Sequence, residues 1–226
     1  MIAAAAGVVA ATLSVSPVHI RLTRSASRTI TITNAGEAPT SIDARPASFA
    51  LDPRGKPRIA RQRQPAAGWL RLQPRRFVLA ADSTAVVTVT PAVPAGAVPG
   101  DHPALVLFAT EPPRTSGLAI RMQIGVVVFV RTPGRIVHRL GLEALNVRGR
   151  VLELVVANRG NVVEHANVQI VLLRGGHVLA RLRSVGRTLL PHSRGVERFR
   201  CQSRLRGRVT ARVELSALRR SFRIRL

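Results

Sequence analysis

Two stretches of this chain carry the same marks in the same order. A strand-like run ends at Asn34-Ala-Gly36, and Leu79 and Ser83 follow before another apolar run; later a run ends at Asn158-Arg-Gly160, and Leu189 and Ser193 follow before another. The corresponding marks lie 124 residues apart at the asparagines and 110 at the serines, a difference that loop length accounts for. Repetition of order at this spacing predicts two copies of one supersecondary design. The expected fold class is therefore all-β, with two tandem immunoglobulin-like β-sandwich domains.

The local pattern agrees. After residue 13 helical periodicity is nearly absent, while period-two alternation recurs throughout. Arg28-Thr-Ile-Thr-Ile-Thr33 and Ala85-Val-Val-Thr-Val-Thr90 alternate, and Trp69-Leu-Arg-Leu72 starts a strand that runs into Pro74. Residues 58–68 read as a polar loop, and Pro91 to Pro103, with four prolines and two glycines, as another. Leu118 to Val130 reads as the longest strand. Pro133-Gly134 reads as a linker, and strands resume at Val151. Gly175-Gly176, between Asn167–Leu173 and His177–Leu182, is a two-residue hairpin signal. The domains are placed at residues 13–133 and 134–226.

Residues 2–13 are apolar and small, of the length of a signal-peptide h-region and too short to span a bilayer, but only Met1 precedes them. Residues 1–12 are accordingly expected to be a truncated signal-peptide h-region, and no other run suggests a transmembrane span. The single cysteine, Cys201, excludes an intrachain disulfide framework and reads as a small buried strand residue.

The net charge is +24, from 35 basic and 11 acidic residues, and every basic residue but Lys56 is arginine. Such near-uniformity reads first as compositional bias, and second as attraction to an anionic partner. The part from Gly134 is the more basic, net +15 against +9 before it. Aromatics are 3% of the chain, with no tyrosine, which leaves few stacking platforms and weighs against nucleic acid.

No catalytic constellation emerges. The six histidines are scattered without metal-ligand spacing, no two acidic residues lie within two positions of each other, and no nucleophile elbow or phosphate loop occurs. Trp69, Phe108 and Phe129 read as core residues. No enzyme activity, cofactor or metal is expected.

The segment Leu13-Ser-Val-Ser-Pro17, the strand to Asn34, Trp69-Leu-Arg-Leu-Gln-Pro74, Val86–Thr90 and Leu118 to Pro133 follow an order that resembles the amino-terminal domain of periplasmic pilus chaperones, the PapD-like immunoglobulin-type superfamily. It is also similar to the paired sandwich domains of WxL-interacting surface proteins of Gram-positive bacteria, where a loop such as Pro99-Gly-Asp-His102 recurs. The resemblance spans about Leu13 to Leu215. The chaperone likeness implies a long strand lent to an incomplete pilin, its alternate apolar side chains filling the pilin groove. Leu118, Ile120, Met122 and Ile124 match that device, and equally match an ordinary strand with one face in its own core. The likeness also implies an arginine and a lysine that anchor the pilin's terminal carboxylate. The lysine position falls on Val127 and the arginine position on His19, with Arg21 two residues away.

That departure favours the surface-protein branch. The function expected is a non-enzymatic, extracytoplasmic envelope or surface protein that binds a protein partner or an anionic wall component. The alternatives are a pilus-type assembly chaperone acting by donor-strand addition, and a basic nucleic-acid binder.

Overall fold

The computed structural model describes residues 12–52, 55–60, 64–110, 121–201 and 205–226. The segment expected to be a signal-peptide h-region lies outside these, apart from Thr12. Two compact units are present: one holds the described residues of Met1–Phe49, Ile59–Val98 and His102–Thr132, the other those of Ala50–Arg58, Pro99–Asp101 and Pro133–Leu226.

In the first unit the strands begin with β1 (Leu13–Ser16), β2 (His19–Leu22), β3 (Arg28–Asn34) and β4 (Thr40–Ala47), and β5 (Phe49–Leu51) and β6 (Pro57–Ile59) pair as a separate two-stranded ribbon. A short helix α1 (Pro65–Trp69) then precedes β7 (Leu70–Gln73), β8 (Arg76–Leu79), β9 (Ser83–Pro91), β10 (Gly100–Thr110) and β11 (Gln123–Thr132). One sheet has the order β1-β3-β9-β7 and the other β2-β11-β10-β4-β8. Period-two sequence drives this arrangement, since alternate side chains of a strand face opposite sides. In β3, Ile30 and Ile32 point inward at 0% exposure and the intervening threonines outward. They meet Val87 and Val89 of β9, Ile42 and Ala44 of β4, Val106 and Phe108 of β10, and Val126, Val128 and Val130 of β11. Each such side chain contributes about 1.5–3 kcal/mol by leaving water.

The second unit is built from β12 (Leu140–Arg148), β13 (Val151–Asn158), β14 (Glu164–Ala166), β15 (Val168–Arg174), β16 (His177–Arg183), β17 (Arg187–Leu189), β18 (Ser193–Arg200), β19 (Arg208–Leu215) and β20 (Leu218–Arg225). Its sheets are β12-β13-β18, β14-β17 and β16-β15-β19-β20. Leu152, Leu154, Ile170, Leu172, Val213 and Leu215 fill its core. Cys201 sits in that core at 9% exposure, just beyond β18 rather than within a strand.

The repeated marks fold into one repeated hydrogen-bond motif. Asn34, at 0% exposure, donates from Nδ2 to the carbonyls of Ala38, Leu79 and Ala80, and its Oδ1 accepts from Gly36 N–H. Asn158, at 1% exposure, donates to Val162, Leu189 and Leu190, and accepts from Gly160 N–H. Ser83 and Ser193 each turn back to the carbonyl three residues earlier, Ala80 and Leu190. In each unit an asparagine pins the end of one strand to a turn that opens another.

Four local expectations are corrected. The stretch Pro91 to Pro103 is not all loop: β9 runs to Pro91 and β10 begins at Gly100, and Pro103 is tolerated because pairing with β4 starts only at Leu105. Trp69 ends the short helix α1, which begins at Pro65 within the expected polar loop, so the strand starts at Leu70. Leu140–Arg148 is a strand that the sequence hid. A bulge between Leu142 and Ala144 shifts the inward phase and breaks the alternation that would have marked it. The expected long strand is observed over Gln123–Thr132, and the 11-residue β10 is longer.

Candidate functional site

The open flank of the first unit is set by how little of β11 its neighbour covers. β2 runs parallel to β11 and pairs only with Val127–Val130. The pairing begins where Val127 N–H donates to the Val18 carbonyl at 3.0 Å. Among the described residues no strand pairs with Gln123–Val126 on that side. On the opposite side Met122 is tied to the end of β10: its carbonyl accepts from Thr110 N–H and its N–H donates to Thr110 Oγ1, both at 3.0 Å.

Backbone alternation then decides what the open edge offers. Successive residues of a strand direct their N–H and C=O to opposite sides. With Met122 turned to β10 and Val127 to β2, the main-chain groups of Gln123 and Gly125 face the open edge. The side chains obey the same period. Ile124 points inward and packs, half-buried, on the core that Val126 and Val128 complete. Met122 is half-buried in the same phase. On the facing sheet the edge strand β1 brings Leu13 and Val15, also half-buried, against that core. The flank therefore combines unpaired backbone with incompletely covered apolar side chains, which is what an added strand requires.

Of the four residues singled out in the sequence, Met122 and Ile124 lie on this flank, whereas Leu118 and Ile120 lie outside the described residues. His19 and Val127 are direct register partners, and Arg21 pairs with Phe129 two positions on. His19 and Arg21 are exposed on the outward face of β2, and Ile20 and Leu22 are buried on the inward one. The positions that the sequence resemblance assigned to an arginine–lysine anchor thus do come together, but as histidine beside valine. Sequence reasoning missed the short reach of β2, because a pairing partner four residues long leaves no periodic signal of its own.

Other sites are structural. Trp69 packs half-buried on the first core with its ring 4.8 Å from His102, edge-on. Phe129 meets Phe49 at 6.3 Å. His138 bonds Glu164 at 2.7 Å, and His165 bonds Thr188. Among the described residues no three His, Cys, Asp or Glu side chains gather where a metal could sit, and no helix is long and apolar enough to cross a membrane.

No family model and no curated protein matches the chain in sequence. Solved structures match over nearly its whole length. The class 5 fimbriae chaperone CfaA has a TM-score of 0.56 at 12% identity, with 95% of this chain and 98% of that one covered. The fold is PapD-like. A chain of the chaperone–tip adhesion subunit complex CsuC–CsuE of Acinetobacter baumannii gives 0.52 at 13% identity, covering 94% and 98%. The Salmonella enterica SafA pilin–SafB chaperone complex gives 0.51 at 13%, covering 95% and 96%. The fold of two immunoglobulin-like domains expected from the sequence is shared with these solved chaperone structures.

This finding corrects the leading functional expectation. A surface protein that binds a partner or an anionic wall component was favoured because the anchor positions carry Val127 and His19 in place of lysine and arginine. The similarity to fimbrial chaperones extends through both domains and backs the chaperone alternative instead.

Proposed function

We propose that the chain is a non-enzymatic, extracytoplasmic assembly chaperone for pilus-type subunits, acting by strand addition at the open edge of β11. The observation that carries this reading is the uncovered stretch Gln123–Val126, where β2 stops at Val127 while Met122 and Ile124 remain half-buried. A subunit lacking one strand of its own sandwich would hydrogen-bond to Gln123 and Gly125 and take the alternating side chains of Leu118, Ile120, Met122 and Ile124 into its groove. Main-chain bonds supply register-independent affinity, and the alternate side chains supply specificity. The PapD-like fold and the chaperone–subunit complexes among its structural relatives support the same reading.

The His19–Val127 pair gives this reading its own character. Val127 adds no charge beside His19, so a subunit's terminal carboxylate would lack the charge-assisted bonds of an arginine–lysine pair, worth about 1.5–3 kcal/mol each. Capture then depends more heavily on the apolar side chains of the strand.

Co-expression with a panel of pilus-type subunits that lack one strand tests the proposal. The wild-type chain should co-purify with a subunit from the periplasm. Ile120→Ser/Met122→Ser should lose the subunit while its own unfolding midpoint moves little. Undiminished capture by that variant would refute strand addition.

A further inference from the structure

The arginines of the second unit are not distributed alike over its two main sheets. Around β12-β13-β18 five of them pair with three glutamates. Glu143 bonds Arg159 and Arg194, Glu153 bonds Arg148 and Arg198, and Glu197 bonds Arg187. On the four-stranded sheet β16-β15-β19-β20 the inward side is mostly apolar and about half of the outward positions are arginine. Register places Arg181 and Arg183 of β16 beside Val171 and Gln169 of β15. Arg208 and Arg212 follow on β19, opposite Arg225 and Ser221 of β20, with Arg223 opposite Thr210. These six arginines are exposed, and among the described residues none has a carboxylate within 4.0 Å. The one acid on this face, Glu214, pairs with a seventh arginine, Arg219.

Compositional bias accounts for the number of arginines but not for this segregation, in which six arginines of one face lack a carboxylate while five around the other sheet share three glutamates. Four strands and seven or eight residues of length give the array about 15 Å by about 23 Å. Between the arginines stand the polar Gln169, Thr210 and Ser221 and the apolar Val171, 7% exposed between Arg181 and Arg212 in register, Leu173, and the exposed Val178 across from Leu173. No aromatic side chain stands among them to stack on bases. At one end Arg174, Arg208, Arg223 and Arg225 ring a recess of about 440 Å³.

We propose that this face docks on an anionic phospholipid surface. Charge complementarity selects that partner. A plane of phosphate headgroups can engage six arginines that share one sheet face, and Leu173 and Val178 suit the interface beneath the headgroups. The arginine-ringed recess is large enough to take one headgroup phosphate. Guanidinium groups bind phosphate bidentately, and each arginine near such a surface strengthens attachment about fivefold. The inference is independent of the strand-addition reading, which concerns another sheet in the other unit.

Co-sedimentation of the full chain with vesicles tests it, comparing mixed phosphatidylglycerol–phosphatidylcholine with phosphatidylcholine alone. The wild-type chain should pellet with the anionic vesicles only, and less as salt rises. Arg208→Gln/Arg223→Gln/Arg225→Gln should weaken binding on the order of a hundredfold. Arg148→Gln/Arg159→Gln/Arg198→Gln removes the same charge from the paired sheet and should cost only severalfold. Circular dichroism confirms that each variant is folded; Arg181→Gln/Arg212→Gln replaces the first if it is not. Equal loss in both triple variants, equal binding to neutral vesicles, or binding to heparin without binding to anionic vesicles would each overturn the proposal.

Discussion

Replacing Asn158 with alanine is the sharpest probe of the repeated motif. The side chain is 1% exposed and makes four contacts: to the carbonyls of Val162 at 2.7 Å, Leu189 at 3.2 Å and Leu190 at 3.1 Å, and from Gly160 N–H at 2.9 Å. Truncation does not orphan all of them. Leu190 O keeps Ser193 Oγ at 2.7 Å, and Leu189 belongs to β17, which pairs with β14. The Gly160 N–H and the Val162 carbonyl lose the partner that held them. A buried polar group left unsatisfied costs about 1–3 kcal/mol, and water entering the vacated space recovers part of that. The expected loss is therefore about 3 kcal/mol, a large share of the 5–15 kcal/mol typical of a domain. Guanidinium unfolding followed by circular dichroism measures it. Asn34→Ala is the matched test in the first unit, where Trp69 fluorescence reports the transition. Asn158→Asp should be worse than alanine at neutral pH, because a carboxylate would then face three carbonyls. A loss below about 1 kcal/mol for Asn158→Ala would refute the claim that the amide bridge holds strand to turn.

Three further outcomes follow from the same geometry. Gly160→Ala would drive a methyl group into the Val137 carbonyl and to 2.9 Å from Arg139 N, so it should destabilise the second unit by about 2–3 kcal/mol in the same unfolding assay. The hydrogen bond from Arg194, and then that from Arg159, hold the Glu143 carboxyl below its ordinary value of 4.5; its stabilising pairing is present above that value and is lost as pH falls through the lowered one. Arg194→Gln should raise the Glu143 titration midpoint seen by NMR, and an unmoved midpoint would remove this account. Burial raises the Cys201 thiol above its ordinary 9.0. The native protein should resist a thiol reagent that labels it promptly once unfolded, and the stability due to the neutral thiol should fade only as pH rises past the unfolded value.

The residues differ in how openly they announce their roles. Ile30, Ile32, Val87 and Val89 declare their inward side through period two alone, because a strand offers only two faces. Asn34 and Asn158 were legible as turn marks, but three carbonyls gathering on each amide was not, since Leu79 and Leu189 arrive from 45 and 31 residues away. β12 stayed hidden because a single bulge reverses which residues face inward.

The sequence by itself determined the class, the duplication and the apolar alternation that runs into Met122 and Ile124. Those properties are local or periodic, and they survive without knowledge of partners in space. Only the tertiary structure decided that β2 stops at Val127, that His19 stands beside that valine, and that five arginines around one sheet meet glutamates while six on the other do not. Strand pairing and register join residues scores or more than a hundred positions apart, and no pattern within either strand records which edge its partner will leave open.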